Sequence, residues 1–143
     1  MRLATSSDLD NIVEMGLKFA QESSDYSTIA DKESIRNLVY QTLISPQTER
    51  IVLFKEGKGM LGGAVSPSMY SKDMIATEIF WWVEPSERKS GLGSQLLSAF
   101  EYWAKNVALC TIIAVSSLDD SIGEFYQKKG YKPVERTYMK VIK

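Results

Sequence analysis

VEPSERKSGLGSQLL, from Val83 to Leu97, joins an apolar strand-like run to an amphipathic helical pattern. It carries more turn and charge chemistry than a plain junction needs. Pro85 ends the strand, and Gly91 and Gly93 fall where the first helical turn begins. The first N–H groups of a helix have no partners inside it, so they point outward. Glycine there lets another group approach the backbone closely, while the helix dipole together with Arg88 and Lys89 favours negative charge. The segment therefore has the physics of a phosphate cradle. The competing reading is a turn whose glycines serve a positive φ beside two solvated basic side chains. A Walker loop is excluded because no Gly-Lys-Ser or Gly-Lys-Thr is present. A Rossmann fingerprint is excluded because Leu96 stands where its third glycine belongs.

Working outward from this segment, Ile75–Val83 reads as a long strand rich in β-branched and aromatic residues. Behind it, Leu92, Leu96, Leu97, Phe100, Trp103, Ala104 and Val107 share one face of a helix that begins near Gly91. Cys110–Val115, CTIIAV, has the continuous apolar character of a strand buried on both faces, which suits a parallel neighbour. Asp119 or Ser121 can cap a short helix through Lys129, with Gly130 just past its end. YKPVERTYMKV, Tyr131–Val141, reads as a final strand. On the N-terminal side, Arg2–Ala4 is a short strand, and Asp8 is an N-cap for a helix carrying Leu9, Ile12, Val13, Gly16, Phe19 and Ala20. The polar run QESSDYST ends that helix. A second helix starts near Asp31, carries Ile35, Leu38, Val39, Thr42 and Leu43, and stops before Pro46. Arg50–Lys55, the turn EGKG and Met60–Val65 form a hairpin. The resulting order is β-α-α-β-β-β-α-β-α-β.

With 143 residues and 44% apolar content, the chain can bury roughly 70% of its unfolded surface in one core and is too short for two ordinary domains. One domain over residues 1–143 is expected. The net charge of -1, with both signs mixed along the chain, gives no basic footprint for nucleic acid and no polybasic tract for a membrane surface. A single cysteine, Cys110, and the absence of histidine exclude disulfide frameworks, Cys/His metal sites, Cys-His dyads and His-based triads together. No metal is expected. Acid-base chemistry falls to carboxylates, tyrosines, lysines, water or backbone. The N-terminus has no apolar signal region and no stretch approaches about 18 apolar residues, so a cytoplasmic protein is expected.

Arg88-Lys89-Ser90-Gly91-Leu92-Gly93 resembles the Arg/Gln-x-x-Gly-x-Gly/Ala signature of the GNAT superfamily of acyl-coenzyme A dependent N-acyltransferases. FYQKKGYKPV resembles that family's Tyr-x-Lys-x-Gly-Phe run, with Tyr126, Lys128, Gly130 and Tyr131 at the matching places. The resemblance implies a single α/β domain whose mixed, mostly antiparallel sheet splays between its fourth and fifth strands and is flanked by helices. It implies acetyl-coenzyme A as co-substrate, its pyrophosphate on Arg88, Lys89, Ser90, Gly91, Leu92, Gly93 and Ser94, and its pantetheine amides on backbone near Trp82 and Val83. It further implies an amine acceptor, small molecule or peptide. A homodimer is left open.

Transfer of an acyl group to an amine needs a neutral amine, a stabilised oxyanion and a proton for the leaving thiolate. Glu78 lies among apolar neighbours in TEIFWWV, and strand alternation groups it with Phe80 and Trp82. Its position resembles that of the family's strand glutamate, a general base, against the alternative of a carboxylate paired with a neighbouring strand or facing solvent. Tyr126 matches the family's general acid, although Ile122, Phe125 and Tyr126 also share a helical face as core residues would. A backbone N–H near Val83 would hold the oxyanion. Asp119 stands where an asparagine is often found near the pantetheine, Ile122 where a small residue is usual, and Lys89 where glycine is frequent. Up to Arg50 there are eight acidic and five basic residues, an excess that suits a cationic acceptor at Glu22, Asp25 and Tyr26. Trp81 is a candidate acceptor-lining aromatic, and Cys110 reads as a buried strand residue. The alternatives are a module of the same fold that binds acyl-coenzyme A or a protein partner without turnover, and a different phosphate-ligand protein.

Overall fold

The computed structural model describes residues 1–143. β1 is Arg2–Leu3, followed by α1 (Leu9–Glu22), α2 (Ser24–Ser27), α3 (Lys32–Ile44), β2 (Arg50–Lys55), β3 (Gly59–Pro67), β4 (Met74–Val83), α4 (Leu92–Asn106), β5 (Ile112–Ala114) and α5 (Asp120–Lys128). The strands form one sheet in the order β1-β2-β3-β4-β5. The first three pairings are antiparallel and β4–β5 is parallel. This is the expected mixed sheet, and helices cover both faces.

Two apolar layers hold the sandwich together. Ile12, Val13 and Met15 of α1 and Val39 of α3 meet Val52, Phe54, Met60, Phe80 and Trp82 on one face of the sheet. Leu92, Leu96, Leu97, Phe100, Trp103 and Ala104 of α4, with Tyr126 of α5, meet Ile51, Leu53, Leu61 and Ala76 on the other. Asp8 precedes α1 as expected but does not cap it. Its carboxylate accepts from the Thr5 N–H at 2.8 Å and from Arg2 at 2.7 and 2.9 Å, tying the helix entry to β1. Asp31 does cap α3, accepting from the Ser34 N–H at 2.9 Å. The QESSDYST stretch is not plain loop, for Ser24–Ser27 form one helical turn in it.

The register of β3 on β4 positions the site. Gly62 pairs with Phe80 and Gly63 with Glu78, so Ile79 is an extra residue, a β-bulge. A Cβ at Gly62 would strike the Phe80 ring, and one at Gly63 would strike Phe100 of α4, so the two glycines face opposite layers. Glu78 therefore shares the α4 face with Gly63, while Phe80 and Trp82 lie on the α1 face. Strict alternation, which grouped the three, fails at the bulge because one inserted residue reverses the side on which every later side chain emerges.

β4 and β5 pair only between Ile75–Thr77 and Ile112–Ala114. Beyond Thr77 β4 has no fifth-strand neighbour, and there the sheet opens. β5 is shorter than the expected Cys110–Val115, and Ile112 is 38% exposed rather than buried on both faces. The expected last strand, Tyr131–Val141, is not formed. From Lys132 to Lys143 the chain has no secondary structure and is exposed throughout.

Candidate active site

Because the bulge turns Glu78 toward α4 and α5, its carboxyl lies in the apolar layer next to Tyr126. None of the chain's ion pairs includes Glu78. Burial, opposed only by the Ser116 N–H, pushes its pKa up to about 7. Tyr126 is 6% exposed, and its hydroxyl donates to the Ser116 carbonyl at 2.8 Å. Burial raises its pKa above the ordinary phenol range, and the nearby Glu78 carboxylate and Tyr131 raise it further. Ser116, just beyond β5, thus faces both groups, its C=O accepting from Tyr126 and its N–H favouring the ionised form of Glu78. The Trp81 ring lies 5.9 Å from that of Tyr126 and 6.2 Å from that of Phe125, and its indole N–H has no partner. A base that is half ionised near neutrality beside a phenol that stays protonated is a workable acid-base pair.

The glycine loop meets this pair from the end of β4. After a 3-10 turn at Pro85–Glu87, Gly91 adopts φ 88°, and a Cβ there would meet nothing within 4 Å. A side chain would be strained by the positive φ, so glycine answers the backbone here and also leaves the approach open. The N–H groups of Gly91, Gly93 and Ser94 have no acceptor in the chain. They stand at the positive end of a fifteen-residue helix. Leu92 contributes only backbone, since its side chain is 2% exposed and belongs to the core.

The edge of β4 is prepared in the same way. Glu84 N–H donates to Lys58 C=O at 2.8 Å, and in an antiparallel ladder facing pairs alternate between bonded and unbonded. The N–H and C=O of Trp82 therefore turn toward Met60 of β3, while those of Val83 and Trp81 turn to the open side. This moves the expected backbone contacts from Trp82 to Trp81 and Val83. The Val83 carbonyl already has a partner, the Arg88 Nε–H at 2.9 Å.

The family model for the acetyltransferase (GNAT) domain matches residues 47–133. The chain belongs to the GNAT acetyltransferase family. A transcriptional regulator from Bacillus halodurans C-125 superimposes with a TM-score of 0.76 at 20% identity, over 99% of this chain and 97% of that one. The aminoglycoside antibiotic 6'-N-acetyltransferase AAC(6')-IG from Acinetobacter haemolyticus, apo, does so at 0.71 and 18%, over 99% and 97%. AAC(6')-Iy in complex with the bisubstrate analogue CoA-S-monomethyl-acetylneamine gives 0.70 and 16%, over 99% and 96%. At these identities the likeness is one of fold. No curated protein matches the sequence.

Within this GNAT domain the other candidate residues are dispersed. Arg88 does not reach out from the loop. Its guanidinium lies over the Trp82 ring, 4.8 Å from the centroid, and donates to Glu22 at 2.6 Å. Glu22 is thus tied to the glycine loop across the open end of the sheet. Tyr26 stacks on Phe19 with 6.4 Å between centroids, and Asp25 is exposed. Asp119 caps α5, accepting from the Ile122 N–H at 3.0 Å and the Ser121 hydroxyl at 2.6 Å. Lys89 is solvated, and the Ser90 hydroxyl donates to Glu87 C=O at 2.6 Å. Two features had no signal in the sequence. Ser116 acts through backbone, which any residue type supplies, and the Glu22–Arg88 contact joins residues 66 apart in the chain.

Proposed function

We propose that the chain transfers an acetyl group from acetyl-coenzyme A to an amine, with Glu78 as general base and Tyr126 as general acid. The observation that carries this reading is the bulge at Ile79, which brings an unpaired carboxyl with a pKa of about 7 onto the face of Tyr126. It does so at the place where β4 parts from β5.

The residues fit the co-substrate. Three free N–H groups at Gly91, Gly93 and Ser94, open to approach, suit a diphosphate. The outward N–H and C=O of Trp81 and the C=O of Val83 suit the amides of a pantetheine arm. When bound, acetyl-coenzyme A supplies an activated acyl carbon and a good leaving group. Glu78, ionised above neutrality, takes a proton from the ammonium form of the acceptor, directly or through water. Tyr126 keeps its proton at Oη through the neutral range and offers it on the leaving side. The outward N–H of Val83 is the oxyanion donor. Arg88 gives up Glu22 and the Val83 carbonyl for phosphate oxygens. The pair it leaves is 42% exposed on each side, and such pairs are weak, whereas a bidentate contact to phosphate is strong. The acidic α1–α2 region, with Glu22, Asp25 and Tyr26, and the Trp81 ring make up the acceptor side, which favours a cationic amine. In this reading Asp119 shapes the pantetheine end of the slot by capping α5.

The test is thiol release from acetyl-coenzyme A with a panel of polyamines, aminoglycosides and peptides. Glu78→Gln and Tyr126→Phe are each expected to lower kcat by 10²–10⁴-fold while coenzyme A still binds. Unchanged release in the double variant would remove both from catalysis. A second reading, a module that holds acyl-coenzyme A without turnover, is favoured by one observation: the Tyr126 proton is engaged by Ser116 C=O. Coenzyme A binding without release for any amine would support it.

A further inference from the structure

Three side-chain groups are buried without a hydrogen-bond partner: the indole N–H groups of Trp81 and Trp82 and the Tyr131 hydroxyl. A buried donor left unpaired is costly, so each calls for a reason. Two of them have a carboxylate at hand. Glu84, held below the usual carboxylate range mainly by Lys18, is helped there by the Trp82 N–H. Burial lifts the Tyr131 phenol, and the adjacent Glu101 carboxylate lifts it further. Trp81 has no such neighbour. The only carboxyl in β4, Glu78, is raised by burial and opposed by the Ser116 N–H alone.

Trp81 emerges on the α4 and α5 side of β4 and packs against that layer. Its ring bridges the two helices. On one side a Cβ built on Gly93 would stand 3.8 Å from Cζ2, and nothing else from beyond α4 comes within 4 Å of it, so the space before that edge is open. On the other side are the rings of Phe125 and Tyr126, with centroids 6.2 and 5.9 Å away. Cζ2 and Nε1 are both bonded to Cε2, so the edge that carries the orphan N–H is the one turned to the head of α4. The donor thus stands between the free N–H groups of Gly91, Gly93 and Ser94 and the Tyr126 ring, beside the part of β4 that has no fifth-strand neighbour.

A carrier whose diphosphate rests on those N–H groups and whose thioester reaches Glu78 and Tyr126 must pass this edge. The first acceptors along the arm beyond the diphosphate are the pantoyl hydroxyl and its amide carbonyl. We propose that the Trp81 indole N–H is a carrier-binding donor, satisfied by a pantoyl oxygen of acyl-coenzyme A between the glycine cradle and Tyr126. The inference rests on the function proposed above and gives one edge of an acceptor-lining ring a second role on the carrier side. A donor orphaned in the free chain regains its hydrogen bond only from a ligand that brings an acceptor to it. The arm is therefore recognised by its chemistry as well as by its fit.

Calorimetric titration of the full chain with coenzyme A and with 3′-phospho-ADP, the same coenzyme cut after its diphosphate, separates this role from that of the cradle. Trp81→Phe should weaken coenzyme A about ten-fold and leave the truncated nucleotide unchanged. In the parent, the Trp81 indole proton is identified in nitrogen-edited spectra by its proximity to the Phe125 and Tyr126 rings. It should move downfield on saturation with coenzyme A and hold its place with the truncated nucleotide, a measurement that needs no variant. Equal weakening of both ligands would overturn the inference by assigning the ring to the cradle. Unchanged affinity for both would overturn it as well, and so would an indole proton that ignores bound coenzyme A. Each of these results leaves acetyl transfer standing, because the parent still binds the coenzyme. A parent that binds neither ligand would overturn both.

Discussion

Glu78 makes opposite demands on stability and activity. Its pKa rises from 4.5 to about 7 on folding, so between those values the folded chain binds more protons than the unfolded one. Stability then falls as pH rises through this window. The group costs nothing below pH 4.5 and, after allowance for partial exposure, about 2 kcal/mol above pH 7. Glu78→Gln should accordingly be more stable than the parent by about 2 kcal/mol at pH 8 and equal to it near pH 4, as read by urea unfolding at the two pH values. Turnover should follow the opposite course, rising through pH 7 in the parent and losing that limb in the variant. A variant less stable at pH 8 would mean that Glu78 has a compensating partner. The candidacy of Glu78 was legible in the sequence because a carboxylate inside an apolar strand demands a reason. Its true neighbours were not, because a bulge leaves no mark in the side-chain pattern.

Among the elements, the loop before α4 and the end of α1 are coupled through two ion pairs, Lys18 to Glu84 and the more exposed Arg88 to Glu22. If phosphate must draw Arg88 away, Glu22 competes with the co-substrate. Glu22→Ala should then tighten coenzyme A binding about two- to five-fold, the value of a surface pair, with little change in the amine KM. Calorimetric titration reads the first quantity and steady-state kinetics the second. An altered amine KM with unaltered coenzyme A affinity would assign Glu22 to the acceptor alone. The cradle itself was readable from Gly91, Gly93 and the basic pair, since helix-end donors depend only on local conformation. The contact with Glu22 was not, since nothing local connects the end of α1 to the end of β4.

Over the whole molecule, a ligand that binds only the folded state must stabilise all of it. Coenzyme A at about a hundred times its Kd should add about 2.7 kcal/mol, seen as a rise of several degrees in Tm. ATP at the same concentration should add less if the slot between β4 and β5 takes the pantetheine arm. Equal shifts would favour a general phosphate binder.

Local chemistry was enough to place nine of the ten expected elements, the glycine cradle at the head of α4 and the residue types fit for acid-base work, because turn residues, helix ends and side-chain periodicity act over a few positions. The tertiary fold alone set the face on which Glu78 emerges, the service of Ser116 to two side chains, the capture of Arg88 by Glu22, and the failure of Tyr131–Val141 to pair within its own sheet. Each of these depends on which distant backbone lies alongside, and a strand, however well written, forms only where another strand accepts its hydrogen bonds.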